Sequence, residues 1–245
     1  MWFSKKTTLD KAIHDAVDIH NHVLPAIDDG ASDLAVTLEM LEWYHKLGFK
    51  KVITTPHTML DYYGNDVTTI SNCFTSTRNA KEVASAYAGL LSHPASEYMM
   101  DDGFEQLIDD NALLFLSKKN LLVEFSYFQK PHNTHDLVFK MRSKDIIPIL
   151  AHPERYRYIN GLASFEKLKD MGFDFQLNVL SLTGHYGKDA FSKAKLLLQN
   201  GLYDYCGTDA HRPDHLALIA QHKVDEKLVA LTEQLWNNNR ELIKL

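Results

Sequence analysis

Asp18-Ile19-His20-Asn21-His22-Val23-Leu24-Pro25-Ala26-Ile27-Asp28-Asp29-Gly30 is the stretch on which the reading of this sequence turns. Ala16, Val17 and Ile19 have the character of a buried strand end. Side chains alternate along a strand, so His20 and His22 point to one side of it where it enters the loop. Two imidazoles then converge on one point. Neutral imidazole nitrogen is the commonest protein ligand for zinc, manganese and iron, and Asp28-Asp29 supplies hard oxygen within loop reach. A strand-end histidine pair beside solvated turn aspartates would read the same way, so the motif needs company.

Working outward, that company recurs. Lys51-Val52-Ile53-Thr54-Thr55-Pro56-His57 is a short buried strand ending in a histidine, and Ala95-Ser96-Glu97-Tyr98-Met99 is a weaker strand carrying a carboxylate. Leu121-Leu122-Val123-Glu124-Phe125 is apolar apart from Glu124, which is expensive to bury without a partner. Residues 146–152 end in His152, residues 173–178 alternate and end in Asn178, and residues 203–211 end in Asp209-Ala210-His211. Helical patterns lie between these runs. Leu34–Leu47 follows a cap at Ser32 or Asp33 and stops at Gly48. Val67–Leu91, Phe104–Leu116, Lys188–Asn200 closed by Gly201, and Val224–Leu245 also read as helices. A polar loop through Asp61, Tyr62, Tyr63, Gly64 and Asn65 precedes the second of them. Strand and helix alternate seven times, which predicts an α/β fold with a parallel sheet, and in barrels the functional groups gather at the C-terminal strand ends.

The composition permits this. At 245 residues the chain is about the length of one α/β barrel, typically ~250, and residues 1–245 are read as a single domain. Hydrophobic content of 45% with 24% charged residues fits a soluble globular protein. A net charge of −6 argues against a nucleic-acid or anionic-membrane binder, which needs a basic surface. Only Cys73 and Cys206 are present, which fits a reducing compartment. Met1-Trp2-Phe3-Ser4-Lys5-Lys6 lacks the apolar core of a signal peptide, and no apolar run suggests membrane insertion, so a cytoplasmic location is expected.

Five histidines and several carboxylates at strand ends form a mixed nitrogen and oxygen pocket. Clustered carboxylates repel one another unless cations sit between them, so two or three divalent ions are expected. A close pair of ions lowers the pKa of water and clamps the oxygens of an in-line displacement, which points to phosphate-ester hydrolysis. Asp18-Ile19-His20-Asn21-His22, Asp28-Asp29-Gly30, Thr55-Pro56-His57, Glu97-Tyr98, Val123-Glu124, Ala151-His152-Pro153-Glu154-Arg155-Tyr156 and Thr208-Asp209-Ala210-His211 together resemble the motifs of PHP (polymerase and histidinol phosphatase) domains. More specifically they resemble the CpsB/CapC (YwqE-like) class of bacterial PHP protein-tyrosine phosphatases, over about residues 16–215.

That resemblance implies a distorted seven-stranded (β/α)7 TIM-like barrel holding Mn, Fe or Zn. It implies His20, His22, Asp29, His57, Glu97, Glu124, His152, Asp209 and His211 as metal ligands and Arg155 as the catalytic phosphate-binding residue. It also implies a phosphotyrosine protein as substrate, a tyrosine kinase of capsule or exopolysaccharide assembly. The class places a further basic residue a few positions beyond Asp-Ala-His, whereas here Arg212 follows directly. Guanidinium meets phosphate with two parallel hydrogen bonds, which suits Arg155, although a partner role for Glu154 or another acid is the alternative.

Arg212, Asn178, Tyr62 and Tyr156 are candidate substrate contacts, with tying down a loop as the alternative for Asn178, and Tyr63, Phe128, Tyr158 and Tyr186 fall in the same post-strand loops. Cys206 to Arg212 matches the Cys-x5-Arg pattern of cysteine-dependent phosphatases, but Asp209 inside it would repel phosphate and raise the thiol pKa. A phosphoesterase for a small metabolite such as histidinol phosphate, and a non-catalytic metal-binding regulatory module, remain open readings.

Overall fold

Short runs of aliphatic and β-branched residues, buried on both faces, make the central strands such as Asn120–Glu124 and Ile147–Ala151, as a parallel sheet covered by helices requires. The structure is a computed structural model that describes residues 5–87 and 89–244; Met1 to Ser4, on which most of the signal-peptide reading rests, and the last residue of the expected C-terminal helix lie outside the described residues. The strands are β1 (Lys6–Thr8), β2 (Val17–Asp18), β3 (Lys51–Thr54), β4 (His57–Thr58), β5 (Leu91–Pro94), β6 (Glu97–Met99), β7 (Asn120–Glu124), β8 (Ile147–Ala151), β9 (Asp174–Asn178), β10 (Tyr205–Gly207) and β11 (Lys223–Asp225). The helices are α1 (Leu34–Leu47), α2 (Val67–Asn79), α3 (Lys81–Ala86), α4 (Phe104–Asp109), α5 (Thr134–Ser143), α6 (Leu162–Met171), α7 (Gly187–Gln199), α8 (Pro213–Gln221) and α9 (Glu226–Leu242).

The order β4-β6-β7-β8-β9-β10 forms one parallel sheet and β2-β3-β5 a second, also parallel. Just beyond β2 and β10, Asn21 bridges Ala210; Asp209 N–H donates to His20 O at 2.8 Å and His22 N–H to Ala210 O at 3.0 Å. The earliest and the latest parallel strands therefore meet. Antiparallel pairing of β1 with β11 lies outside this layer.

The expected count of seven strands is not what the hydrogen bonds give, because two strands are broken. Pro56 has no N–H to donate, and Thr55 turns its N–H to Asn21 O, so β3 stops at Thr54 and pairing resumes with β4 at His57. A matching gap at Ala95-Ser96, where Ser96 Oγ donates to Pro56 O, separates β5 from β6. The result is a mixed α/β fold whose parallel strands curve into a partial barrel.

Helix ends differ from expectation for local reasons. Asp33, rather than Ser32, caps α1 by accepting the Val36 N–H at 3.0 Å, and Gly48 closes it in the left-handed conformation. The long helix expected over 67–91 is split at Ala80, and Leu91 pairs into the sheet beside Val52. The helix expected over 104–116 stops at Asp109, where the Asp109-Asp110-Asn111 run turns with Asn111 in left-handed backbone. Val224 belongs to β11, so the C-terminal helix begins only at Glu226. The core between sheet and helices holds Phe104, Phe125, Phe165, Phe173, Phe175 and Trp236, all fully buried.

Candidate metal centre

Parallel strands deliver their C-terminal ends to one face, and the chain places its chemistry there. His20 and His22 follow β2, His57 opens β4, Glu97 opens β6, Glu124 closes β7, His152 follows β8, and Asp209 and His211 follow β10. Nitrogen and oxygen atoms of His20, Glu97 and His152 lie within 4.8 Å of one another, as do those of His20, His22 and Asp209, of His57, Glu97 and Glu124, and of His22, Asp29, His57 and His211. Glu97 Oε2 is 3.1 Å from both His20 Nε2 and His57 Nδ1, and its Oε1 is 3.0 Å from His152 Nε2. All nine residues expected as ligands come together, and only Asp29 is substantially exposed.

The donor set fits divalent cations on its own terms. His20 Nε2, His22 Nε2, His57 Nδ1, Glu97 Oε2 and both carboxylate oxygens of Glu124 are buried without a hydrogen-bond partner. Orphaned polar atoms of this kind are rare and costly, and here they face one another. The far sides of the rings are fixed. His20 Nδ1 meets Gln176 Oε1 at 2.8 Å, and His22 Nδ1 meets Asp28 Oδ2 at 2.7 Å, so each Nε2 is turned inward, as in histidine ligands held by an outer partner. Asp28 also accepts the N–H groups of Gly30 and His57. Asp28 thus orients a ring while Asp29 faces the cluster. Gln176 escaped the sequence reading, although it stands two residues before Asn178 on the same side of an alternating strand.

Electrostatics in the cation-free cluster are strongly coupled. Burial pulls the His20 imidazole down, but Glu97 and Asp209 outweigh it and lift it to about 9. Burial likewise opposes the low values of Glu97 and Asp209, and the imidazoles hold both carboxyls well below the usual range. Protons shared among rings and carboxylates do what divalent cations would do better.

The backbone is strained where it serves this cluster. His152 and Asp209 have φ of 35° and 49°, left-handed values that are uncommon for residues other than glycine. Close approach also demands two glycines. A Cβ on Gly207 would lie 2.6 Å from His20 Cβ, and one on Gly30 would lie 2.1 Å from His22 O. Below the histidines, the buried Asp18 accepts from Thr208 N–H at 3.0 Å and from Tyr44 Oη at 2.7 Å, tying β2 to the end of β10 and to α1.

Arg155 sits at the edge of the cluster. It donates to Asp209 Oδ2 at 2.7 Å, and its guanidinium lies 3.9 Å from the Tyr186 ring centre and 4.8 Å from that of Tyr127. Of the expected acid partners it takes Asp209 and not Glu154, whose carboxylate turns inward to Asn178 N–H, Ser181 Oγ and Tyr203 Oη. Arg155, Tyr127, Phe128, Arg157, Tyr186 and the first turn of α7 enclose a cavity of about 610 Å³.

The expected substrate contacts fare differently. Tyr156 is fully buried, its hydroxyl donating to Ala151 O and accepting from Phe125 N–H, so it packs the core. The short helical turn Pro153–Arg155 rotates it inward. Asn178 is also buried, with both amide hydrogens used by Tyr186 Oη and Asp209 Oδ2, so it braces the site rather than facing a substrate. Arg212 points to solvent and pairs with Asp214. Tyr62 is 83% exposed, while its neighbour Tyr63 stacks on His57 with ring centres 5.7 Å apart. Cys206 is fully buried and its thiol is pushed well up, chiefly by burial, which removes the cysteine-nucleophile reading.

Known proteins match this chain along most of its length. Residues 16–227 match the family described as "Capsular polysaccharide synthesis, CpsB/CapC". Tyrosine-protein phosphatase YwqE of Bacillus subtilis is 31% identical over 197 residues, covering 80% of this chain and 77% of its own. Tyrosine-protein phosphatase CpsB of Streptococcus pneumoniae is 25% identical over 216 residues, 85% of this chain and 88% of its own. Among solved structures, a chain from the crystal structures of those two metal-dependent tyrosine phosphatases superposes with a TM-score of 0.80 at 27% identity, covering 93% of this chain and 94% of that one. With the matched span, the fold and the clustered strand ends in agreement, the chain belongs to the CpsB/CapC family.

Proposed function

We propose that this protein is a metal-dependent protein-tyrosine phosphatase whose reaction centre is the histidine and carboxylate cluster beside Arg155. The observation that carries the reading is the set of buried, unpartnered nitrogen and oxygen atoms that face one another there. His20, His22, Asp29, His57, Glu97, Glu124, His152, Asp209 and His211 would hold two or three divalent ions, with manganese, iron and zinc all compatible with such donors. Bound ions would supply Lewis acidity and an ionised water at neutral pH.

The chain's own residues do the rest. Asp209 and the two tyrosine faces hold Arg155 charged and oriented, leaving its remaining N–H groups for phosphate oxygens as charge builds on them. Tyr127, Tyr186 and Phe128 wall the adjoining cavity and suit an aromatic phosphoester. A tyrosine leaving group has a pKa of about 10 and needs little help from a general acid. Residues 1–245 are read as one domain. Counting β3 with β4, and β5 with β6, as single interrupted strands gives the seven of a (β/α)7 barrel.

The names of the relatives support a phosphotyrosine protein as substrate, and the family description supports a role in capsular polysaccharide synthesis; within that setting the proposed substrate is a tyrosine kinase of capsule or exopolysaccharide assembly. No helix among the described residues is long and apolar enough to cross a membrane, which is compatible with a cytoplasmic site of action. The test is a phosphotyrosine-peptide assay with and without chelator. Turnover lost on chelation and restored by manganese is expected. Turnover of histidinol phosphate alone, or metal binding with no turnover, would overturn the assignment.

A further inference from the structure

The cavity beside Arg155 has its own charge character. At about 610 Å³ it falls in the range of ligand sites, about 300–1,000 Å³. Its inner end is Arg155, which donates to Asp209, with Tyr127, whose ring stacks on His152 with centres 5.9 Å apart, so it borders the histidine and carboxylate cluster. Its outer wall carries Arg157 and Lys188, both exposed, and neither forms an ion pair among the described residues. The one carboxylate on that wall, Asp189, is engaged by Lys193 at 2.9 Å. In a chain of net charge −6, two unengaged cations at the rim of the reaction cavity are a local exception. The start of α7 lies on the same wall without a side-chain cap, and its amides add to the positive potential.

We infer that this outer wall is the subsite for the residue next to the phosphotyrosine, and that Arg157 and Lys188 select an acidic side chain there. The inference rests on the phosphotyrosine-phosphatase reading above and deepens it. Phe128, 92% exposed at the lip, supplies the apolar surface over which the substrate backbone passes. Complementary charge at such a rim acts on encounter and affinity rather than on the chemical step. The selectivity therefore belongs in KM.

The test uses the metal-loaded full-length chain. Substrates are peptides with one phosphotyrosine flanked by glutamate, leucine or lysine, together with p-nitrophenyl phosphate. At low salt the glutamate peptide is expected to show a KM about three- to tenfold below that of the leucine peptide, the range of one or two exposed ion pairs. That advantage should vanish in about 0.5 M NaCl. The double variant Arg157→Ala/Lys188→Ala should raise the glutamate-peptide KM to that of the leucine peptide, with kcat and p-nitrophenyl phosphate turnover unchanged. Affinity for a non-hydrolysable phosphonate analogue of the glutamate peptide, read by fluorescence anisotropy, should fall by the same factor. Equal KM values for the glutamate and leucine peptides, a preference for leucine, or an equal loss on all peptides in the double variant overturns the inference. Failure to turn over any substrate, p-nitrophenyl phosphate included, would strike the phosphatase reading instead, and the anisotropy titration would still decide the subsite.

Discussion

Glu97 is common to two of the groups that could hold an ion, one with His20 and His152 and one with His57 and Glu124. Glu97→Gln keeps the shape but removes a negative charge and replaces one carboxylate oxygen by an amide nitrogen, which does not bind a cation. The expected outcome is loss of at least one ion by elemental analysis and a fall in kcat of about 100-fold or more. Arg155→Lys separates the other half of the site. A lysine ammonium cannot reproduce the planar fork against phosphate, so kcat/KM should fall about 100- to 1,000-fold while metal content stays unchanged, and a parallel loss of metal would place Arg155 in the metal centre instead. At this scale the histidines were legible because each closes an apolar run. Tyr156 was misread because one helical turn after His152 reverses the side it faces, and no spacing rule announces that.

Among the elements, β10 shows how closely the parts must approach. Gly207 leaves room for His20, and the structure offers no relief because the neighbouring atoms are His20 Cβ and the Gln176 amide. Gly207→Ala should destabilise the fold by about 1–3 kcal/mol and lower metal occupancy, measured by denaturant unfolding and by metal analysis. An unchanged occupancy would show that the strand yields without moving His20. The parallel strands were readable from their aliphatic content and their spacing between helical patterns. Their interruptions were not, because a break at Pro56 or Ala95 depends on which neighbour receives the freed backbone groups. The early stop of α4 was in principle readable from Asp109-Asp110-Asn111, whose side chains favour turns over helix interiors.

For the whole molecule, the buried charge cluster links stability to metal and to pH. Stripped of cations by a chelator, the protein keeps its carboxylates apart through protonated imidazoles such as His20, lifted to about 9 from an ordinary value near 6.5. A group raised on folding contributes fully below its unfolded pKa and loses that contribution as pH rises through the folded one. The melting temperature of the chelated protein should therefore fall between about pH 6.5 and 9, and manganese should raise it and flatten the decline. A chelated protein whose melting temperature is flat or rising over that interval would contradict the cluster as described. The α/β class and its parallel sheet were legible from alternation, while the meeting of Asn21 with Ala210 was not, since no local pattern records a partner 189 positions away. That seam has a consequence for biosynthesis. Because the pocket borrows its first histidines from the part of the chain made early and its last aspartate from the part made late, a ribosome-bound fragment lacking Asp209 has an incomplete cage, and the group of His20, His22 and Asp209 can assemble only after that segment has left the exit tunnel.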